Sequence, residues 1–201
     1  MAQIGILGAG SFGTAVAVHA ARAGHRTTLW VRRAEAAAEI DAARENRRYL
    51  PGVILPGNLA ITHDLAALGD SSPLVLAAPS HGYRAVLRDF LALRRSRAEL
   101  TLVSATKGIE AESLARMSRV SAEECGRAAT PARFAALSGP TFAAELARAV
   151  PSAAVVASAD VELAADLRET LASPTLRLYS SADVVGVEIA GAAKNVIATG
   201  A

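Results

Sequence analysis

The sequence predicts an α/β fold: a mostly parallel, twisted sheet with helices on both faces, followed by the start of a helical second domain. Three observations carry this. An apolar strand runs through Gly8, Gly10 and Gly13 into a small-residue helix, the strand, glycine turn and helix that open a βαβ unit. The run 73–78 is continuously apolar, as a strand buried on both faces of a parallel sheet must be. Strand-like and helix-like segments then alternate to the end of the chain.

In order, the glycine turn leads into a helix over 11–23 that stops at Gly24, a residue suited to the left-handed turn after a helix. A β-branched strand over 27–31 completes the first βαβ unit. An Ala- and Glu-rich helix is expected over 34–47, then a loop with two Pro-Gly turns, a short strand over 59–62 and a small helix over 64–68. Strand 73–78 ends in Pro79-Ser80-His81. Helix 83–93, strand 100–105, helix 111–123 and strand 134–137 come next. Thr141 is expected to cap a helix over 142–149, and strand 152–157, helix 161–171 and strand 176–179 close the sheet. From Gly186 the composition becomes small and helical. Residues 1–185 thus read as a dinucleotide-binding domain and 186–201 as the first helix of a truncated helical domain.

The 201 residues, 52% of them hydrophobic, suffice for a substantial core. A net charge of +2 from 21 basic and 19 acidic residues spread along the chain leaves no basic stripe, so nucleic acid is not an expected partner. Cys125 stands alone, which rules out an intrachain disulfide and fits a reducing compartment. No apolar run reaches the length of a membrane span, and the reading is a soluble, cytoplasmic protein without membrane insertion. His19, His25 and His63 lack metal-ligand spacing, so no metal is expected. His81 stands at the ligand-binding edge of the sheet.

Cofactor chemistry is read from the glycines and from the residues just after the second strand. Gly8 permits the tight turn, Gly10 lets the backbone approach a pyrophosphate, and Gly13 lets the helix pack close. The helix start offers free N–H groups to an anion. Where selection for NAD usually places an acidic residue, this chain has Arg32 and Arg33, two guanidinium groups suited to a 2′-phosphate; NADP is therefore expected beside NAD.

Only two of the 21 basic residues are lysine, Lys107 and Lys194. Arginine cannot give up its proton at ordinary pH and lysine can, so these two are candidates for chemistry; the alternative is the tail of a compositional bias. Lys107 comes directly after strand 100–105, at the same edge as the glycine turn. Lys194 lies among small apolar residues, where it either snorkels to water or serves as an acid/base on a desolvated face. Ser138-Gly139-Pro140-Thr141 forms a further small-residue approach to a helix start.

With these motifs in order, the sequence resembles the bacterial NAD(P)-dependent glycerol-3-phosphate dehydrogenases over its whole length. The resemblance rests on Gly-Ala-Gly-Ser-Phe-Gly-Thr-Ala at 8–15, Leu-Trp-Val-Arg-Arg at 29–33 and Asn-Arg-Arg-Tyr-Leu-Pro-Gly-Val-Ile-Leu-Pro at 46–56. It extends through Ala-Pro-Ser-His at 78–81 and Thr-Lys-Gly-Ile-Glu at 106–110. Ser-Gly-Pro-Thr-Phe-Ala-Ala-Glu at 138–145 and Gly-Ala-Ala-Lys-Asn-Val-Ile-Ala at 191–198 complete it. It implies a Rossmann-like fold and places Ser11, Phe12, Arg32, Arg33, Tyr49, Lys107 and Ala143 around the cofactor. Lys107, Gly139 and Thr141 are implied near a phosphorylated small-molecule substrate, glycerol 3-phosphate, with Lys194 as general acid/base. The implied reaction moves a hydride between NAD(P) and glycerol 3-phosphate or dihydroxyacetone phosphate, in the supply of phospholipid precursors.

The remainder of the family's helical domain, with an aspartate and a Ser-Arg-Asn stretch, is not in this chain, which points to a fragment. An exposed face on its last helix argues for association, a homodimer included, or for marginal stability. Two rival readings stand beside this one: a dehydrogenase of another hydroxy acid on the same fold, and an NADP-binding module without catalysis.

Overall fold

The computed structural model describes residues 1–96 and 98–199. Eight strands form one sheet: β1 (Gln3–Leu7), β2 (Arg26–Trp30), β3 (Leu59–Thr62), β4 (Leu74–Leu76), β5 (Leu100–Ser104), β6 (Ala132–Ser138), β7 (Ser152–Ala157) and β8 (Leu176–Ser181). Their order across the sheet is β3-β2-β1-β4-β5-β6-β7-β8. The first six run parallel; β7 lies antiparallel to β6, and β8 runs parallel to β7. This is the expected Rossmann-like sheet, extended by two strands of opposite direction.

Side-chain alternation shows why the central strands need apolar residues throughout. Ile4, Ile6, Val75 and Val103 enter one core, while Leu7, Leu74, Leu76 and Leu102 enter the other. The first core is covered by α1 (Ser11–Arg22), α2 (Ala34–Ala43), α5 (Ala143–Ala147) and α6 (Val161–Leu171), and the second by α3 (Ser80–Leu93) and α4 (Met117–Arg127). Both faces are dry, as a parallel sheet requires. The last helix, α7 (Val184–Thr199), packs on β6 and β7.

Polar groups fasten the periphery. Glu124, on α4, gathers Arg84 and Arg88 of α3 at 2.8 and 2.9 Å, and Arg127 at 2.7 Å. His19 and His25 donate through Nε2 to Leu171 O and Thr170 O at 2.8 Å. Those are carbonyls that the end of α6 cannot satisfy by itself, and His25 Nδ1 accepts the Ala2 N–H at 3.1 Å.

Several element ends differ from expectation, each for a local reason. α2 stops at Ala43, because Arg44 turns left-handed (φ 48°) and sends its guanidinium to Pro56 O and Leu59 O. The helix expected from 111 begins at Met117. Before it, Leu114 is left-handed (φ 55°), and Ile109 pairs with Arg116 as an antiparallel bridge, so 107–116 is a folded-back loop. Thr141 does not cap α5: its hydroxyl donates to Ala153 O at 2.9 Å, and the cap residue is Phe142. α7 starts two residues early, since Asp183 Oδ1 accepts the Gly186 N–H at 2.8 Å. Residues 200–201, at the end of the expected second domain, lie outside the described residues.

Among the described glycines the closest approach is at the start of α1, where a Cβ on Gly13 would lie 2.0 Å from Gly8 O. At Gly126, in the last turn of α4, a Cβ would meet nothing within 4 Å. Gly13→Ala is therefore expected to lower the unfolding free energy by about 1–3 kcal/mol or more. Gly126→Ala is expected to raise it by about 0.4–1 kcal/mol through the unfolded chain. Urea denaturation with unchanged m checks both, and equal effects would contradict the packing.

Candidate functional site

The parallel strands deliver their C-terminal ends to one edge, where a cleft of about 490 Å³ opens, within the size range of small-molecule sites. Its floor is Gly8, Ala9 and Gly10 after β1 and Ala77 to Pro79 after β4. Gly8 has φ +116°, and a Cβ there would lie 2.9 Å from Ala77 O. Only glycine satisfies both the conformation and the approach of β4. Gly10 precedes α1 without any side-chain cap, and nothing stands within 4 Å of where its Cβ would be. The first N–H groups of α1 thus remain available, with Ser11 exposed at the helix start. An uncapped helix end behind an open glycine fits a pyrophosphate.

One wall of the cleft is cationic. Arg32 and Arg33, exposed at the end of β2, line it together with Arg47, Arg48 and Tyr49 from the loop after α2. The Arg48 guanidinium sits over the Tyr49 ring at 5.2 Å, and Glu39 and Glu45 share the lining. Among the described residues, no carboxylate lies within ion-pair distance of Arg32, Arg33 or Arg48. His81 is exposed on the rim.

Sequence reasoning gave no role to Asn46, which holds this wall in place. It is 1% exposed. Its amide donates to Ala9 O at 2.9 Å and Thr14 Oγ1 at 2.8 Å, and its carbonyl accepts the Tyr49 N–H at 3.3 Å. One side chain thereby ties the arginine loop to the glycine turn. An Asn before Arg-Arg-Tyr in a loop looks like ordinary turn chemistry in sequence; only its burial against Ala9 distinguishes it.

The two lysines meet beside the turn at Gly139 to Thr141. Lys107 Nζ donates to Gly139 O at 3.2 Å and Thr141 O at 3.5 Å, and lies over the Phe12 ring at 4.8 Å. Burial and the nearby Lys194 ammonium pull it down to about 8, because a desolvated cation beside a like charge loses its proton more readily. Lys194 Nζ lies 4.4 Å from the centre of the Phe142 ring.

Lys194 also lines a second, more apolar cavity of about 250 Å³ with Ser138, Gly139, Pro140 and Gly191. Gly139 has φ +153°, and a Cβ there would lie 2.9 Å from Ala154 Cα. Thr141 is buried and spends its hydroxyl proton on β7. Its part is to hold the turn whose carbonyls receive Lys107.

The candidates therefore divide into two groups, with Phe12 beside Lys107 of the second. Gly8, Gly10, Arg32, Arg33 and Tyr49 line the cleft; Gly139 and Lys194 line the second cavity, and Lys107 reaches the carbonyls of Gly139 and Thr141 beside it. Gly13 is spent on packing. Ala143 opens α5, which packs against α1, and it lies on the same core as Phe12. Among the described residues there is no group of three His, Cys, Asp or Glu side chains able to hold a metal, and no helix long and apolar enough to cross a membrane.

Comparison with known proteins gives the family. Residues 3–164 match the family model described as NAD-dependent glycerol-3-phosphate dehydrogenase N-terminus. The chain is 43% identical over 199 residues to a glycerol-3-phosphate dehydrogenase [NAD(P)+] of Pelotomaculum thermopropionicum, covering 98% of this chain and 56% of that protein. To the protein of the same name from Chelativorans sp. it is 46% identical over 200 residues, covering 98% and 59%. It thus spans less than three-fifths of the length of these relatives.

Among solved structures, the glycerol-3-phosphate dehydrogenase of Coxiella burnetii superposes with a TM-score of 0.88 at 33% identity, over 98% of this chain and 59% of that one. A GDP-mannose dehydrogenase of Pseudomonas aeruginosa, at 16% identity and a TM-score of 0.80 over 98% of this chain and 50% of that one, shares the fold alone. The family model over most of the chain and the similarity of fold and sequence to these enzymes show that the chain belongs to the NAD(P)-dependent glycerol-3-phosphate dehydrogenases, of which it is the N-terminal, NAD-binding part.

Proposed function

We propose that this chain binds NAD(P) in the cleft and, with the C-terminal portion its relatives carry, interconverts glycerol 3-phosphate and dihydroxyacetone phosphate. The observation that carries this reading is the meeting of the two lysines, with Lys107 on the Gly139 carbonyl and over the ring of Phe12, a residue within the glycine motif.

In this reading Gly8, Gly10 and Ser11 receive the pyrophosphate, and Arg32 and Arg33 pair with a 2′-phosphate when one is present. Phe12, Tyr49 and Ala143 surround the rest of the cofactor. A nicotinamide bound there supplies the hydride acceptor or donor. Lys107, held by the Gly139 and Thr141 carbonyls, presents a positive charge to the phosphorylated substrate. Lys194 takes the C2 hydroxyl proton on oxidation and returns it on reduction. The reading includes a cytoplasmic setting, in keeping with a single buried thiol, and a homodimer, which sedimentation of the chain tests directly.

Lys194→Arg keeps a cation but removes the transferable proton. In the chain expressed with the relatives' C-terminal portion it is expected to lower kcat by about 10²–10⁴-fold, with the NADPH Kd unchanged in a fluorescence titration. Near-normal turnover would end the assignment.

Arg32→Ala with Arg33→Ala should weaken NADPH about 10-fold or more through lost charge-assisted bonds, while NADH is held as before. Equal losses for the two would remove the 2′-phosphate role.

Because Lys107 is held near 8, its charged form predominates below that pH and fades above it. Affinity for dihydroxyacetone phosphate should therefore fall as pH rises through about 8. Lys107→Met should abolish that step, which calorimetric titration across pH 6.5–9.5 reads out.

A further inference from the structure

Glu188 is a buried carboxylate that the proposed chemistry does not use. It sits on α7, six residues before Lys194, and its side chain is 5% exposed. Oε2 accepts from Arg116 Nη1 at 2.6 Å and from Ser118 Oγ at 2.7 Å, and Oε1 accepts the Ser118 backbone N–H at 2.7 Å. Arg116 is the cap residue of α4 and Ser118 lies in its first turn. A side chain from α7 thereby supplies the acceptor that the start of α4 lacks locally, at the end of the helix where negative charge is favoured.

The bond partners matter as much as the bonds. Arg116 is bridged to Ile109, and Glu110 N–H donates to Ala115 O at 2.9 Å. The clamp therefore grips the base of the loop that begins at Lys107. One turn beyond Glu188, Gly191 meets β6 and the same loop: a Cβ there would lie 2.7 Å from Ser138 Oγ and 4.0 Å from Lys107 Cγ. α7 is thus pinned at two points, one a charged clamp and the other a close approach, and Lys194 comes immediately after them.

We infer that Glu188 is a positioning residue: its carboxylate, locked between Arg116 and the start of α4, sets where α7 presents Lys194 relative to Lys107. The inference rests on the reading of Lys194 as acid/base for its consequence in turnover, but not for the geometry. Breaking a buried pair leaves Arg116 and the Ser118 N–H uncompensated. With that anchor gone, the register of α7 on the loop rests, among the described residues, on the close approach at Gly191 and on its packing against β6 and β7.

The chain's two lysines make this measurable. Labelling with [ε-¹³C]lysine gives two side-chain signals, one from each, and the Lys107 signal titrates near 8. The groups facing Lys107 are Lys194 from α7, Phe12 from α1 and the carbonyls of Gly139 and Thr141. Those facing Glu188 are Arg116 and Ser118, with the Tyr83 hydroxyl near enough to feel its charge.

In Glu188→Ala the Lys107 midpoint is expected to rise by about half a pH unit or more, as the Lys194 charge moves away. With the relatives' C-terminal portion present, kcat should fall about 10-fold or more, with the NADPH Kd within about twofold. Glu188→Gln, which keeps the shape and an acceptor for Ser118 N–H, should shift both in the same direction by less, and provides the reading if the alanine variant does not fold. A Lys107 midpoint unchanged in a folded variant overturns the inference, whatever happens to kcat. A midpoint that moves while kcat stays constant upholds the positioning and instead removes Lys194 from the chemistry.

Discussion

The parallel direction of β3-β2-β1-β4-β5-β6 is the constraint that creates the site. Strands that point the same way end at the same edge, so the glycine turn after β1, the arginines after β2, the loop after β4, Lys107 after β5 and Gly139 after β6 are gathered without further design. The same arrangement requires both faces of the sheet to be dry, which is why two separate cores are needed and why the chain is rich in Ala, Val and Leu. Gly8 and Gly13 are where these demands collide. The first helix must leave the strand within a few residues and still lie against the sheet, and no side chain fits between.

On that edge, charge is divided by residue type. Arginine supplies the exposed cations of the cleft, where permanent charge and a forked geometry suit phosphate. Lysine occupies the crowded place beside Phe12 and Phe142, where two ammonium groups approach each other and burial adds its cost. An arginine at 107 would stay charged under the same pressure; a lysine yields. Both lysines of the sequence thus stand in this one neighbourhood.

Interior loops are less legible than strands because their partners are distant in sequence. The stretch 111–116 has helical composition, yet Ser113 and Leu114 turn it back, with the Ala115 N–H held by Ser113 Oγ at 3.2 Å and Arg116 pulled toward Glu188. Thr141 has the right neighbours for a helix cap, but the antiparallel β7 brings Ala153 O within reach, and a hydroxyl has one proton to donate. In both places a long-range acceptor outcompetes the local one. Asn46 and Glu188 belong to the same class: each looks like an ordinary polar residue until the fold buries it among backbone groups that need its particular atoms.

The α/β alternation, the glycine turn, the arginine pair in place of an acid and the singularity of the two lysines are all legible in the amino-acid order, since they rest on local conformation, periodicity and residue chemistry. It took the folded chain to bring Lys107 and Lys194, 87 residues apart, into one neighbourhood, to set Phe12 against Lys107, and to clamp α7 through Glu188. Proximity between distant segments depends on sheet order and helix packing. Those arise from the burial of many side chains at once, and no single motif records them.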